Sequence, residues 1–204
     1  NLKLLERLAN LTDSEGKAAL INGLLDNKTY DLLLVAWNAE EVEGLIDRIY
    51  NQDPSAALIV HIEPNRFQGR FGKHADAALL TVLKSKELDK DQYLAKLTPL
   101  LSPAQIRTFV SQASPEELKT AQSTLLTSFA KLDPAQDGDL IVKLAQAAQT
   151  GIRSDMLRTL LGTTDNNALV LKVLQKTVPV AELLDRLDMS TLAARFKDDP
   201  VNLQ

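Results

Sequence analysis

The chain has 204 residues, 45% of them hydrophobic, and no cysteine; 23 basic and 27 acidic residues leave a formal net charge of −4. This is enough apolar material to bury a core as one domain or two small ones, and the missing cysteines exclude disulfides, thiolate zinc sites and thiol nucleophiles. No long basic block is available to displace nucleic-acid counterions, and no apolar run approaches the roughly 20 residues of a membrane span.

Aromatics make up only 4% of the chain, and its apolar residues are mostly Leu, Ala, Ile and Val. Leu and Ala lose little side-chain freedom in a helix, whereas usual strand material is sparse, so an all-α fold without sheet is expected. Taken in chain order, Leu2, Leu4, Leu5 and Leu8 begin a helix over 2–9. Thr12/Glu15 then has the spacing of a capping box, in which a small polar side chain and an acid or amide three residues on satisfy each other's backbone N–H. It opens a helix over 14–26, followed by one over 28–37. Asn38/Glu41 repeats the signature with the apolar stripe Val42, Leu45, Ile46 and Ile49 behind it. Helices follow over 54–62 and 73–86, then further capping pairs at Asp89/Gln92, Ser102/Gln105, Ser114/Glu117 and Asp133/Gln136. Pro103, Pro115 and Pro134 occupy first helical positions, where a missing N–H costs nothing.

The stripe after Ser102 is Ile106, Phe109, Val110 and Ala113, and after Ser114 it is Leu118, Ala121 and Leu125. After Asp133 the series fits Leu140, Ile141 and Leu144 but begins on a misfit, Asp137. Helices over 154–162, 165–176, 179–187 and 189–197 complete the set. The spacing between caps is irregular and no tetratricopeptide or ankyrin pattern is present. The expected architecture is therefore an irregular stack of short antiparallel helical hairpins, superhelical or solenoid-like. A single domain over 1–204 is expected, with lobes 1–62 and 73–204 joined by a loop at 63–72 as the alternative. The capped helices across Asp89–Ala130 resemble the local texture of bacterial helical superhelix domains, such as the cytoplasmic domain of magnesium channels and the flagellar motor switch proteins. That resemblance carries no site residue.

The segment Glu63–His74 is the one place where glycines, aromatics and cations converge. Arg66, Arg70, Lys73 and His74 could meet an anion, with Gly69 and Gly72 letting backbone N–H groups approach it. Against this stands an ordered interhelix loop plugged by Phe67 and Phe71 with its charges solvated. Gly69-Arg70-Phe71-Gly72 spells the loop of a KH module, but that module needs strands. His61, Glu63, His74 and Asp76 lack the spacing of metal ligands, so no metal and no cofactor is expected. No Gly-x-Ser-x-Gly elbow, Walker loop or dinucleotide fingerprint occurs. The pairs Glu40/Glu41 and Glu116/Glu117 sit in first helical turns, where negative charge complements the helix dipole. Trp37, Tyr50, Phe67 and Phe71 are candidate interface anchors, Trp37 also reading as core beside Leu32–Val35.

With no catalytic grammar, the expected function is protein interaction or scaffolding within a larger, perhaps bacterial, protein; the partner is another protein rather than nucleic acid. Two alternatives stand beside it. One is an anion, phosphate or anionic-lipid module on the basic 63–74 loop; the other is a helical accessory domain of an enzyme whose active site lies elsewhere. The start at Asn1 reads as an excised or processed chain without its targeting signal, suited to the cytoplasm or to export without disulfides.

Overall fold

A computed structural model describes residues 2–67, 69–86, 90–176 and 187–197, without the side chains of Arg70 and Met189. Every regular element among them is helical, and none of the helices is long and apolar enough to cross a membrane. The chain divides into two compact units, Asn1–Leu101 and Ser102–Gln204.

The first unit holds α1 (Leu2–Asn10), α2 (Ser14–Leu25), α3 (Asn27–Leu33), α4 (Ala39–Asn51), α5 (Ala56–Ile59), α6 (Ala75–Lys84) and α7 (Lys90–Leu97). Two 3-10 turns, Pro64–Phe67 and Gly69–His74, lie between α5 and α6. The stretch read as a connecting loop is thus folded inside the first unit. Here α2 packs on α4 and α5, α1 packs on α4, and α6 packs on α5 and α7. The Asn38 stripe is correct: Val42, Leu45, Ile46 and Ile49 are all buried, as are Ile21, Leu24 and Leu25 of α2, the helix packed on α4.

The second unit holds α8 (Pro103–Gln112), α9 (Pro115–Lys119), α10 (Gln122–Phe129), α11 (Gly138–Ala147), α12 (Thr150–Thr163), α13 (Asn167–Gln175) and α14 (Met189–Arg195). Helix α11 packs against α8, α9 and α13, and α10 packs against α12. Ile106, Phe109, Val110, Ile141, Leu144, Leu157 and Val170 form the buried interior. The helix expected over 179–187 falls almost wholly outside the described residues, as does Asp89 of the Asp89/Gln92 pair.

Three of the expected capping boxes close in both directions. Glu41 N–H donates to Asn38 Oδ1 at 2.9 Å, and Asn38 N–H donates to Glu41 Oε2 at 3.0 Å. Ser102/Gln105 and Ser114/Glu117 do the same, with Pro103 and Pro115 at the first helical position. Thr12 is a correction. Its hydroxyl donates to Ala9 O at the end of α1, and Asp13 caps α2 instead, accepting Gly16 N–H at 2.9 Å. Asp133 is a second correction: its carboxylate accepts Ala135 N–H in a local turn, and α11 begins five residues later, at Gly138. The misfit Asp137 explains the delay. It is buried, accepts from Asp133 N–H at 2.9 Å, and takes Arg107 Nε between its two oxygens at 2.9 and 3.0 Å. Burial pushes the Asp137 carboxyl up, but Arg107 and the Asp133 N–H outweigh it and hold its pKa below the ordinary value. After Ser114 the helix breaks at Thr120–Ala121, yet Leu118, Ala121 and Leu125 remain buried.

Helix C-termini are closed by cations. Arg66 Nη1 donates to Leu25 O of α2, and Lys90 Nζ to Leu83 O and Ser85 O at the end of α6. Lys143 Nζ donates to Val110 O and Ser111 O of α8, at 2.7 and 2.9 Å. Arg153, itself buried, donates to Ala145 O and Ala148 O at the end of α11, at 2.8 and 2.7 Å. Arg195 reaches Leu161 O and Thr164 O at the end of α12. Each cation satisfies carbonyls that have no intrahelical partner and sits at the negative end of the helix dipole.

Two outcomes are expected in urea unfolding. Asp13→Ala loses about 1 kcal/mol as an N-cap, more than Thr12→Ala does. Arg153→Met leaves two buried carbonyls unpaired and loses about 2 kcal/mol or more, with Arg153→Lys recovering part of it.

Candidate functional site

The cation-rich stretch is built by two constraints on its backbone. Gly69 adopts φ +67°, a left-handed conformation that a side chain would strain. At Gly72 a Cβ would lie 3.3 Å from Phe67 O, so the two 3-10 turns approach closely there. This folds Phe67 and Phe71 inward, with ring centroids 5.1 Å apart and each only 1% exposed. Tyr50 of α4 meets Phe71 edge-on at 5.2 Å, and His74 lies 4.6 Å from both Tyr50 and Phe71. Three of the candidate interface anchors, Tyr50, Phe67 and Phe71, are therefore core residues of the first unit. In a chain with few aromatics, edge-to-face packing of this kind holds an irregular segment where aliphatic stripes do not reach.

The cations are engaged inside the same unit. Arg66 donates to Leu25 O at 3.0 Å and lies 3.2 Å from Glu63 and 3.7 Å from Asp26. Lys73 donates to Asp47 Oδ2, and His74 Nε2 lies 2.9 Å from Asp47 Oδ1. Arg70 contributes backbone to the second turn, and its side chain lies outside the described residues. So the structure brings Lys73 and His74 together on Asp47, a residue of α4 that the sequence did not single out. It sends Arg66 to a different place, the end of α2. Partial burial raises the Asp47 carboxyl, but hydrogen bonds from Lys73 and His74 outweigh it and leave its pKa below the usual value. No group of three or more His, Asp or Glu side chains is placed to hold a metal among the described residues.

A folded-state pKa below the unfolded one means that Asp47 stabilises the unit at neutral pH. That contribution fades as pH falls through the carboxylate range toward the folded value. The unfolding free-energy gap between wild type and Asp47→Asn is therefore expected to narrow steadily from about pH 7 to about pH 3. A gap that stays constant would remove the pairing from the account.

Apolar exposure has a different address. Among the described residues seven large apolar side chains are exposed, and six of them fall in α1, at Leu11 just past it, and in the stretch 32–35. Leu4, Leu8 and Leu11 follow helical spacing along and just past α1, with Leu4 66% and Leu11 84% exposed. Leu32, Leu34 and Val35 lie where α3 ends and the chain turns, Leu32 at 72% and Val35 at 85%. Trp37 beyond them is half-buried. The signal was present in the sequence: Leu32–Val35 are four consecutive apolar residues, and at 100° per residue they cannot share one buried stripe. Comparison with protein-family models, curated proteins and solved structures finds no match to this chain.

Proposed function

We propose that this chain is a non-catalytic protein-interaction domain that docks a partner through the apolar side chains of α1 and of residues 32–35. The carrying observation is their concentration: apart from Leu126, the exposed large apolar side chains of the described residues lie between Leu4 and Val35. Single exposed leucines are ordinary, whereas grouped ones mark contact surfaces. Fully covering one such side chain is worth about 1.5–3 kcal/mol, so a partner burying several of them gains substantial affinity.

The same reading takes the short helices as an irregular stack of hairpins, an architecture that presents extended surfaces. Packing of consecutive helices within each unit supports it: α6 on α7 in the first, α10 on α11 and α12 on α13 in the second. An anion-binding role for the basic segment has less support, because Arg66, Lys73 and His74 already hold carboxylates of their own unit.

The test is capture from a lysate by wild type and by Leu4→Ser/Leu8→Ser/Leu11→Ser, with Leu32→Ser/Val35→Ser as a second variant. These exposed positions should each alter stability by no more than about 0.5 kcal/mol. Both variants are therefore expected to melt within a few degrees of wild type and to lose the captured protein. A partner retained at full yield by both variants overturns this surface as the docking face.

A further inference from the structure

The two exposed apolar runs of the first unit differ in the charge that borders them. On α1, Leu4 and Leu8 are four residues apart, and Lys3 and Arg7 form a second row directly beside them on the helix surface. Both cations are exposed, and neither has a hydrogen-bond or ion-pair partner among the described residues. The single acid of α1, Glu6, does not compensate them, because its carboxylate accepts from Arg48 Nε of α4 at 3.3 Å. The leucine stripe is therefore bordered by two free positive charges.

Residues 31–41 carry the opposite sign. Asp31 lies about one helical turn before Val35, and Glu40 and Glu41 stand in the first turn of α4, just beyond the exposed run. All three acids are exposed, with Lys28 as the one cation close to them in sequence. Glu41 accepts Asn38 N–H, whereas the Asp31 and Glu40 carboxylates have no partner among the described residues. Inside the unit the free cations of α1 and these free acids do not meet. One chain thus presents an apolar face rimmed by cations and a second rimmed by acids. Opposite rims steer encounter and fix register, while the apolar side chains between them lose water on contact.

We propose that a second copy of this chain covers this surface, with α1 of one protomer seated on residues 31–41 of the other, its leucines against Leu32, Leu34 and Val35 and its two cations facing Asp31 and Glu40. This pairing presupposes the docking face of α1 and 32–35 and names its occupant. An unrelated partner would have to supply acids to one face and cations to the other, whereas a second copy carries both, two of each. About a two-fold axis the contact is made twice and satisfies both faces of both protomers, the self-complementary pattern of an isologous dimer.

The test is sedimentation equilibrium of the whole chain from about 1 to about 100 μM, a range that reports micromolar or tighter self-association. Wild type is expected to weigh more than one chain, and Leu4→Ser/Leu8→Ser/Leu11→Ser to stay monomeric. Lys3→Glu/Arg7→Glu and Asp31→Lys/Glu40→Lys each set like charges against one another and should weaken association about tenfold or more. Mixed in equal amounts, the two variants meet with signs exchanged, and association is expected to return toward the wild-type level. Each variant is first checked to melt within a few degrees of wild type. Asp31→Lys alone, which leaves the first turn of α4 intact, should weaken association in the same direction. A wild type that stays monomeric overturns the proposal and leaves the docking face to a different partner, which the capture experiment judges separately. Association undiminished in the charge variants, or a mixture of folded variants that stays monomeric, also overturns it. If the leucine variant alone loses association, the docking face stands and the charge pairing falls.

Discussion

A helix leaves four N–H groups unpaired at its start and four carbonyls at its end, whatever its length. The described α-helices of this chain run from four to fourteen residues, so a large share of its backbone lies in such ends. Their closure governs where polar side chains go. Asn38, Ser102 and Ser114 close starts reciprocally, and Asp13, Asp26, Ser55 and Asn166 accept N–H groups at others. Arg66, Lys90, Lys143, Arg153 and Arg195 close ends. Because each of these cations reaches a carbonyl from another helix or turn, the bond that finishes one helix also fixes its neighbour. Capping here is tertiary structure.

That arrangement also accounts for the electrostatic character of the protein. A formal charge of −4 with 23 basic residues is compatible in principle with a basic face. Several of those cations are instead turned to helix ends or held by carboxylates, as Arg107 is by Asp137 and Lys73 by Asp47. A guanidinium donating to carbonyls in a part-buried site has little left to offer an external anion. The basic stretch 63–74 is the clearest example: Arg66, Lys73 and His74 stabilise the fold of the first unit, and Phe67 and Phe71 fill that unit's core.

What could be read beforehand was local. Helix class followed from Leu and Ala content, and the starts at Asn38, Ser102 and Ser114 followed from side chains three residues apart, a distance over which backbone geometry alone determines contact. The stripes behind them were legible for the same reason. What could not be read depends on partners distant in sequence. Lys143 caps a helix more than 30 residues before it, and Arg66 one about 40 residues before it. Asp47 carries no local signal, because its partners Lys73 and His74 lie more than 25 residues further along the chain. Thr12 and Asp133 show the limit on the local side: two small polar residues in competition, and the one with the free carboxylate or the tertiary bond decides where the helix begins.

The two ends of α1–α3 differ from the rest of the first unit in what they leave unsatisfied. Across α4 to α7 the apolar stripes are covered, and the aromatic cluster of Tyr50, Phe67 and Phe71 closes the irregular segment between them. Leu4, Leu8 and Leu11 form a stripe of the same spacing that is exposed among the described residues, although the opposite face of α1, at Ala9, is fully buried. With Leu2 and Leu5 only part-buried beside Ala9, and Leu4, Leu8 and Leu11 turned outward, this helix leaves leucines exposed against the hydrophobic effect unless something else covers them. The run at 32–35 has the same property by a different route, since a turn rather than a helix presents it. In a unit whose other stripes are covered, these exposed side chains are where the proposed docking has its physical rationale.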